Sequence, residues 1–543
     1  MAHVEPEPRN TVLGRILEDR SAKLGEKIYV YFKEEAITYE QVNKNSNRMA
    51  NGYSNLGVKK GDKVSIMMPN CPEFLYHWFG LAKLGAVDNP INTAYKGDIL
   101  KHLIMNSGSK ALLVHEQFLD RIQFIIDTLE GLESIIIYPD KTEAKHLPIA
   151  TYSFQEIFDT PSEFSSSTEI SASDSLNIIY TGGTTGPSKG AILSHGCLYN
   201  YAKNLMRFIG LTKNTLTYNC LPIFHANHRL TSMATLLLGG SYAMGVKFSA
   251  RSFWDEIRKY NANHFHFLGG MPQIIYAQQP RPDDADNPAV AAWGGPIPLD
   301  IAEDFEKRFD LKLYNGFYGL TEAVGVTWVV AEEADRLKKQ GRWSQAVGMG
   351  REQEQIFQVR LVDDNDYEVQ NGQIGEIVCR PTCPDSMFLG YVNNPEATLE
   401  VLRNLWFHTG DLARKDDDGF FHFVDRKKDY IRRRGENISS YEIEKVVNAH
   451  PAVVDSGAIA AKSELGEDEV RIVVMVRENK TLTPEELMAW CEPRMAYFMV
   501  PRFVDFVNEF PRNPVGRIEK YKLREQKFKN TWDREKAGYE LKR

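Results

Sequence analysis

Between Tyr180 and His195 the chain reads YTGGTTGPSKGAILSH, with three glycines and three threonines ahead of Lys189. Glycines let backbone N–H groups approach a ligand closely. Threonine hydroxyls add donors, and Lys189 adds a mobile positive charge. That set suits a polyphosphate. It is not a Walker A loop, because no glycine immediately precedes the lysine and no Ser or Thr follows it. Four further stretches hold residues of chemical interest. FYGLTE (Phe317–Glu322) joins an aromatic, a glycine, a hydroxyl and a carboxylate, and FHTGDL (Phe407–Leu412) sets Asp411 behind a turn glycine. DRKKDYIRRRGENIS (Asp425–Ser439) is a basic run that ends in Gly435, and PRNPVGRIEKYKLR (Pro511–Arg524) is basic again. Taken singly, each is better explained by a turn, a helix cap or a solvated charge.

The elements that position these residues are those of a multidomain α/β protein. A chain of 543 residues exceeds one ordinary core. Its 43% hydrophobic and 25% charged residues are ordinary for a globular protein, and a net charge of -8 argues against nucleic-acid binding. Six cysteines form no disulfide framework or common zinc pattern, so reduced thiols and a cytoplasmic location are expected. The first residues lack the pattern of a signal peptide. The most apolar stretch, Met233–Val246, is too short to span a bilayer, which needs roughly 20 apolar residues. No transmembrane span is therefore expected; peripheral association and oligomeric state stay open.

Lys63–Met68 reads as a strand, Glu73–Leu84 as a helix and Ala111–Val114 as a buried strand, an alternation typical of α/β sheets. Thr160–Ser175 reads as a surface connection into the glycine-rich loop, and Arg281–Asn287 as an exposed loop. The last part changes character. Ser439 and Glu442 stand at capping-box spacing before Ile443, Val446 and Val447. Arg471–Val476 reads as a strand. Thr483, Pro484 and Glu486 form a strong helix start. This fits a compact α+β unit bounded by the charged stretch Asp425–Arg434.

In their order, the five motifs resemble those of the adenylate-forming superfamily: acyl-CoA synthetases, nonribosomal adenylation domains and firefly luciferase. The resemblance covers nearly the whole chain. WFGLAKLGAV…PIN, PIFHA and ARSFWDEIRKYNA further resemble the carnitine/crotonobetaine-CoA ligase group. The implied fold is α/β: a large N-terminal domain of mixed sheets flanked by helices over 1–424, then a small mobile α+β lid over 425–543, hinged near 428. The implied reaction joins a small carboxylic acid to coenzyme A through an acyl-adenylate, with ATP and Mg²⁺. Several negative charges meet in that reaction, so the site must supply cations and N–H donors.

By the same resemblance, Thr181, Gly183, Thr184, Thr185 and Gly186 form the phosphate loop and Lys189 faces the β/γ-phosphates. The family form has Ser at 182 and Pro at 188, where this chain has Gly182 and Ser188. Glu322 matches the magnesium-associated glutamate, with Thr321 beside it and Thr184 as a second metal contact. Tyr318, followed by Gly319, matches the aromatic that stacks on adenine; a packed core tyrosine is the alternative. Asp411 matches the ribose-binding carboxylate, with a turn-capping aspartate as the competing explanation, and Arg426 its partner near ribose and phosphate. His225 matches the residue beside the acid. His225 and His228 as a metal pair carry little weight without an acidic or cysteine companion. His264 and His266 read as core or pocket wall. Gly294 and Gly295 match a pocket-lining pair, and a simple turn before Pro296 explains them almost as well. Lys428 matches the hinge, and Gly435 the glycine along the pantetheine tunnel. Arg432, Arg433 and Arg434 read as CoA-phosphate contacts or, preferably, as a solvated face.

One departure stands out. The family's late motif carries a lysine after its glycine, bridging carboxylate and α-phosphate; this chain has Arg517 there. Arginine keeps the charge, but its planar fork is not equivalent to an ammonium. Arg517 substitutes directly, or Lys520 takes over, or adenylation is slow or lost; the first reading is preferred. Two rival functions remain: adenylation with another acceptor, such as a carrier-protein phosphopantetheine, and nucleotide binding without catalysis. For a trimethylammonium acid, Phe224, Phe267 and Tyr318 stand in segments suited to a cation-binding cage, and the same aromatics suit an aryl or aliphatic acid equally.

Overall fold

The computed structural model describes residues 11–140, 147–181, 188–427, 429, 431–433, 436–462, 468–495, 497, 499–512 and 516–541. They form two compact units. The first holds the residues up to Val359 together with Arg380–Leu405; the second holds Arg360–Cys379 and the chain from Trp406 on. Val424, where the sequence shifts in character, lies within the second unit.

The first unit is built on two seven-stranded sheets. One runs Ala150–Ser153, Ser134–Tyr138, Ser109–His115, Lys63–Met67, Val87–Pro90, Ser175–Thr181 and Lys189–Ser194. Its strands are parallel until the last step, which is antiparallel. The other runs Lys312–Tyr314, Ala291–Gly295, His264–Leu268, Leu216–Asn219, Ser241–Met244, Ile28–Phe32 and Glu35–Thr38. It is parallel except for the hairpin at its edge. Parallel sheets covered on both faces need nearly continuous apolar strands, and SIIIY at 134–138 is buried through its first four residues.

Helix Pro72–Leu84 opens on a proline and closes on left-handed Gly85 (φ 74°). From Phe74 to Leu84 every residue is buried, as a helix apolar all round requires. It packs on helices Leu13–Leu24 and Tyr39–Asn55. Gly80 permits the close crossing: a Cβ there would stand 2.9 Å from that of Met49. The expected strand, helix and buried strand of this region are thus found at Lys63–Met67, Pro72–Leu84 and Ser109–His115. Thr160–Asp174 contains neither helix nor strand. Arg281–Asn287 is a loop, but not wholly exposed: Asp284 is buried, 2.7 Å from Arg308 Nε. That ion pair anchors the turn, a long-range contact invisible in the local composition.

The second unit begins with antiparallel strands Ile374–Pro381, Phe407–Lys415 and Phe421–Arg426. A hairpin, Ile431–Arg433 with Glu436–Ile438, leads to helix Ser440–Asn448. A four-stranded sheet of Val453–Lys462, Asp468–Val476, Phe503–Phe506 and Trp532–Asp533 follows. Its core joins Ile443 and Val447 to Val470, Ile472, Val474, Leu487 and Met488. Helix Pro484–Cys491 has the full capping box at Thr483 and Glu486. At Ser439 the side chain caps Glu442 N, the forward half of such a box. The architecture is α/β, a larger unit of mixed sheets and a smaller α+β unit. Among the described residues no helix is long and apolar enough to cross a membrane. All six cysteines are free thiols, five of them buried.

Candidate active site

The carboxyl ends of parallel strands are where open α/β sheets bind ligands. In the first unit the glycine-rich loop and His225 follow such strands, and Gly294 and Gly295 end one. Strand Ser175–Thr181 ends at the glycine-rich loop, and Thr181 pairs with Lys189 where the chain returns. Thr181 Oγ1 donates to Lys189 O at 3.4 Å. Gly183, Thr184, Thr185 and Gly186 lie outside the described residues. Lys189 Nζ stands 5.1 Å from the ring centroid of Tyr391, a cation–π contact.

Tyr391 arrives on a segment that pairs with the outer edge of Lys189–Ser194. Leu389 N and Val392 N donate to Ile192 O and Gly190 O at 2.8 and 2.9 Å, and Ile192 N donates to Gly390 O at 3.0 Å. Gly190 is required here, since a Cβ would meet Ile178 and Val392 at 2.7 Å. Tyr391 Oη donates to Glu322 Oε1 at 2.8 Å. Burial, then the Glu322 charge, push the Tyr391 phenol well above its ordinary range, so it remains a neutral donor. Lysine, aromatic ring and carboxylate thus form one array. Tyr391 was not among the residues that the motifs single out; its signal was a tyrosine behind Gly390, ahead of the Asn394-capped helix Pro395–Val401.

Glu322 sits in the loop between strands Phe317–Tyr318 and Thr327–Trp328. Its backbone oxygen accepts from Phe388 N at 2.9 Å and Tyr201 Oη at 3.2 Å, and the residue is 6% exposed. Gly319 tightens the loop, for a Cβ would stand 2.5 Å from Gly325 N. Tyr318, the last residue of the preceding strand, and Thr321 in the loop are half-buried. Glu322 offers a hard carboxylate oxygen. Mg²⁺ keeps several waters and substrate phosphate oxygens and needs only one or two protein carboxylates, so this donor fits it. Thr184, the other expected contact, lies outside the described residues.

On the second sheet, His225 follows strand Leu216–Asn219 and caps helix Ala226–Leu238, its Nδ1 accepting from Asn227 N at 3.3 Å. His228 is buried, its Nδ1 2.6 Å from Leu221 O, and burial lowers its pKa to about 4. His266 stacks on Trp293 at 3.8 Å and meets Thr231 Oγ1 at 3.1 Å. Gly294 and Gly295 end strand Ala291–Gly295 rather than making a turn. Gly294 has φ 139°, and a Cβ would stand 1.9 Å from Phe267 O, so glycine is obligatory. Phe267 alternates with His266 and points to the opposite sheet face, with Phe265 and Phe253. It is therefore fully buried core rather than cage wall.

The second unit holds its own pair. Asp411 and Arg426 are cross-strand partners, Arg426 Nε 2.7 Å from Asp411 Oδ1. Asp411 is a buried strand residue, not a turn cap. Gly410 (φ 72°) precedes it where the ladder with Ile374–Pro381 slips register, a local irregularity that re-aims a side chain. Burial alone raises the Glu376 carboxyl, but bonds from His408 and Lys427 pull it down to about 2. Lys428, Arg434 and Gly435 lie outside the described residues, as does the Arg432 side chain. Arg433 is neither solvated nor free for phosphate: it is 3% exposed, 2.6 Å from Glu469. Arg517 is exposed. Lys520 is enclosed, its Nζ 2.8 Å from Glu444 and donating to Ser440 Oγ at 2.6 Å. Burial raises the Glu444 carboxyl to about 7, against the opposing pull of Lys520.

Residues 17–392 match the model of the AMP-binding enzyme family, and residues 442–517 that of the AMP-binding enzyme C-terminal domain. The chain belongs to the AMP-binding enzyme family, among the AMP-forming acyl-CoA synthetases. It is 30% identical over 533 residues to a crotonobetaine/carnitine–CoA ligase of Salmonella typhimurium, covering 94% of this chain and 98% of that protein. A Mycobacterium tuberculosis fatty acyl CoA synthetase superposes with a TM-score of 0.71 at 26% identity, over 96% of this chain and 99% of that one. The o-succinylbenzoate coenzyme A synthetase of Bacillus subtilis, solved with ATP and a magnesium ion, shares the fold with a TM-score of 0.78 at 22% identity. That match covers 94% of this chain and 98% of that one.

Proposed function

We propose that the protein is an ATP-dependent carboxylic acid–CoA ligase that works through an acyl-adenylate. In the first step a carboxylate oxygen attacks the α-phosphorus, the bond to the β-phosphate oxygen breaks, and pyrophosphate leaves. In the second the CoA sulfur, having lost its proton, attacks the acyl carbon and AMP leaves. The observation that carries this reading is the array of Lys189, Tyr391 and Glu322 beside the glycine-rich loop. Lys189 offsets charge on the departing pyrophosphate. Glu322, oriented by Tyr391, would hold Mg²⁺, which supplies charge neutralisation between phosphate oxygens. His225 and the Gly294–Gly295 strand end border the acid, and Tyr318 the adenine. In the second unit Asp411 and Arg426 take the ribose, and Arg517 rather than the enclosed Lys520 meets the carboxylate and α-phosphate. Lys428 serves as the hinge and Gly435 borders the pantetheine path.

The acid is a short- or medium-chain carboxylic acid, with carnitine-like acids in the same range. Likeness to a crotonobetaine/carnitine–CoA ligase supports the latter. The burial of Phe267 removes one wall of an aromatic cage and favours the former. Incubation with ATP, Mg²⁺, CoA and a panel of acids, followed by mass spectrometry of acyl-AMP and acyl-CoA, tests the reading. A thioester from one acid class is expected. ATP binding with neither product from any acid would overturn it.

A further inference from the structure

A second buried assembly lies beside the site and takes no part in the chemistry above. Asp88, on strand Val87–Pro90, is fully buried and ion-paired with Arg229. It also accepts from Asn177 Nδ2 at 2.8 Å and meets His77 Nε2 at 3.1 Å. The carboxylate accepts a hydrogen bond from Nε2–H, so His77 Nδ1 accepts from Tyr53 Oη at 2.6 Å. The Arg229 guanidinium lies over Trp78 and Phe74, 4.8 and 5.3 Å from their ring centroids. Burial holds the His77 imidazole below its ordinary range, against the opposing pull of Asp88, so the imidazole is neutral.

A buried ion pair is weak support for stability, because apolar residues of similar volume often serve as well. Its connections are more informative. Arg229 Nε donates to Ile223 O at 3.1 Å, two residues before His225. Asn70 completes the grip on that turn. Its Oδ1 accepts from Ile223 N at 2.8 Å and its Nδ2 donates to Leu221 O at 2.9 Å. On the other side Asn177 belongs to Ser175–Thr181, the strand that ends at the glycine-rich loop. Asp88 and Asn177 are direct partners in that sheet. One charged pair thus ties the turn carrying Phe224 and His225 to the strand carrying the loop, across two sheets.

We propose that Asp88 and Arg229 are positioning residues for acid activation: their pair fixes the turn of Phe224 and His225 relative to the phosphate-loop strand. The proposal rests on the ligase reading for the identity of the step. Displacing a reactant by about 1 Å is enough to slow a reaction 10²-fold.

The test uses D88N/R229M, which leaves no buried charge unpaired and keeps an apolar stem over Trp78, and N177S, which cuts only the tie to the loop strand. Turnover with the acid that wild type accepts is compared with ATP affinity, melting temperature and amide hydrogen exchange. For D88N/R229M the expected result is a melting temperature near wild type, unchanged ATP affinity and kcat lowered about 10- to 100-fold. Exchange should quicken at residues 221–225 and not elsewhere in the sheets. N177S should lower kcat about three- to tenfold at unchanged melting temperature, and it decides the matter should D88N/R229M not fold. Wild-type kcat in either folded variant would overturn the strut, and so would unchanged exchange at 221–225 in D88N/R229M. A wild type inactive with every acid would count against the ligase reading alone, with exchange still deciding on the strut.

Discussion

Lys189 and Lys520 both stand beside motifs that suggest nucleotide chemistry, and the fold treats them in opposite ways. Lys189 leaves the end of a strand and meets the face of Tyr391. An aromatic face attracts a cation without neutralising it. Lys520 meets the Glu444 carboxylate and the Ser440 hydroxyl within its own unit. Ser440 in turn donates to Asp425 Oδ2 at 2.7 Å from its hydroxyl. A charge enclosed in such a network serves the packing of its unit. Under the proposed ligase reading the same side chain is a ligand-facing cation in one region, and in the other it is a structural one, the partner deciding which.

The largest effect that separates the two is expected from Lys189→Ala. Loss of a cation that faces developing charge should lower pyrophosphate release about 10²- to 10³-fold, with the melting temperature little changed. Near-wild-type release would erase the contrast. Arg517→Ala should lower adenylation about 100-fold. Lys520→Met, by contrast, should leave kcat within about threefold and cost about 2 kcal/mol of stability, as for a lost hydrogen bond between charged groups, read by urea unfolding. The reverse pattern would make Lys520 the working cation.

Tyr391→Phe keeps the ring under Lys189 and removes the bond to Glu322. It should raise the Mg²⁺ concentration for half-maximal rate with about a tenfold loss of rate, as for a displaced metal-holding group. The smallest effect concerns pH. The folded Glu444 carboxyl titrates at about 7, above the ordinary 4.5. The folded state then binds more protons between those values, so this contribution to stability is present below 4.5 and is lost as pH rises through 7. Thermal melts from pH 5 to 8 should show a downward component that Glu444→Gln removes. An unchanged slope in that variant would place the titration elsewhere.

Much of the fold was legible because its signals are local. Pro72 and Gly85 bracket a helix, Thr483 and Glu486 cap another, and apolar runs mark parallel strands. Residue type and order nominate Lys189 and Glu322 as candidates. Nothing local nominates Tyr391, since its contacts arise from pairing with a strand some 200 residues earlier in the chain. Phe267 stands in a segment suited to a cage, yet it is buried core, because strand alternation, not proximity to a motif, decides which face it takes. Arg433 looked like solvated charge until Glu469 was seen to bury it. Asp88 carried one clue, a carboxylate within the buried strand VDNP, but its partner Arg229 lies on a helix of the other half of the unit.

The most direct test of the central claim is acid-dependent exchange of labelled pyrophosphate into ATP, run without CoA on wild type, Lys189→Ala and Lys520→Met. Exchange is expected in wild type and in Lys520→Met, with loss of at least about 100-fold in Lys189→Ala. Exchange undiminished in Lys189→Ala, or absent from a wild type that binds ATP and was offered the whole acid panel, would contradict that claim.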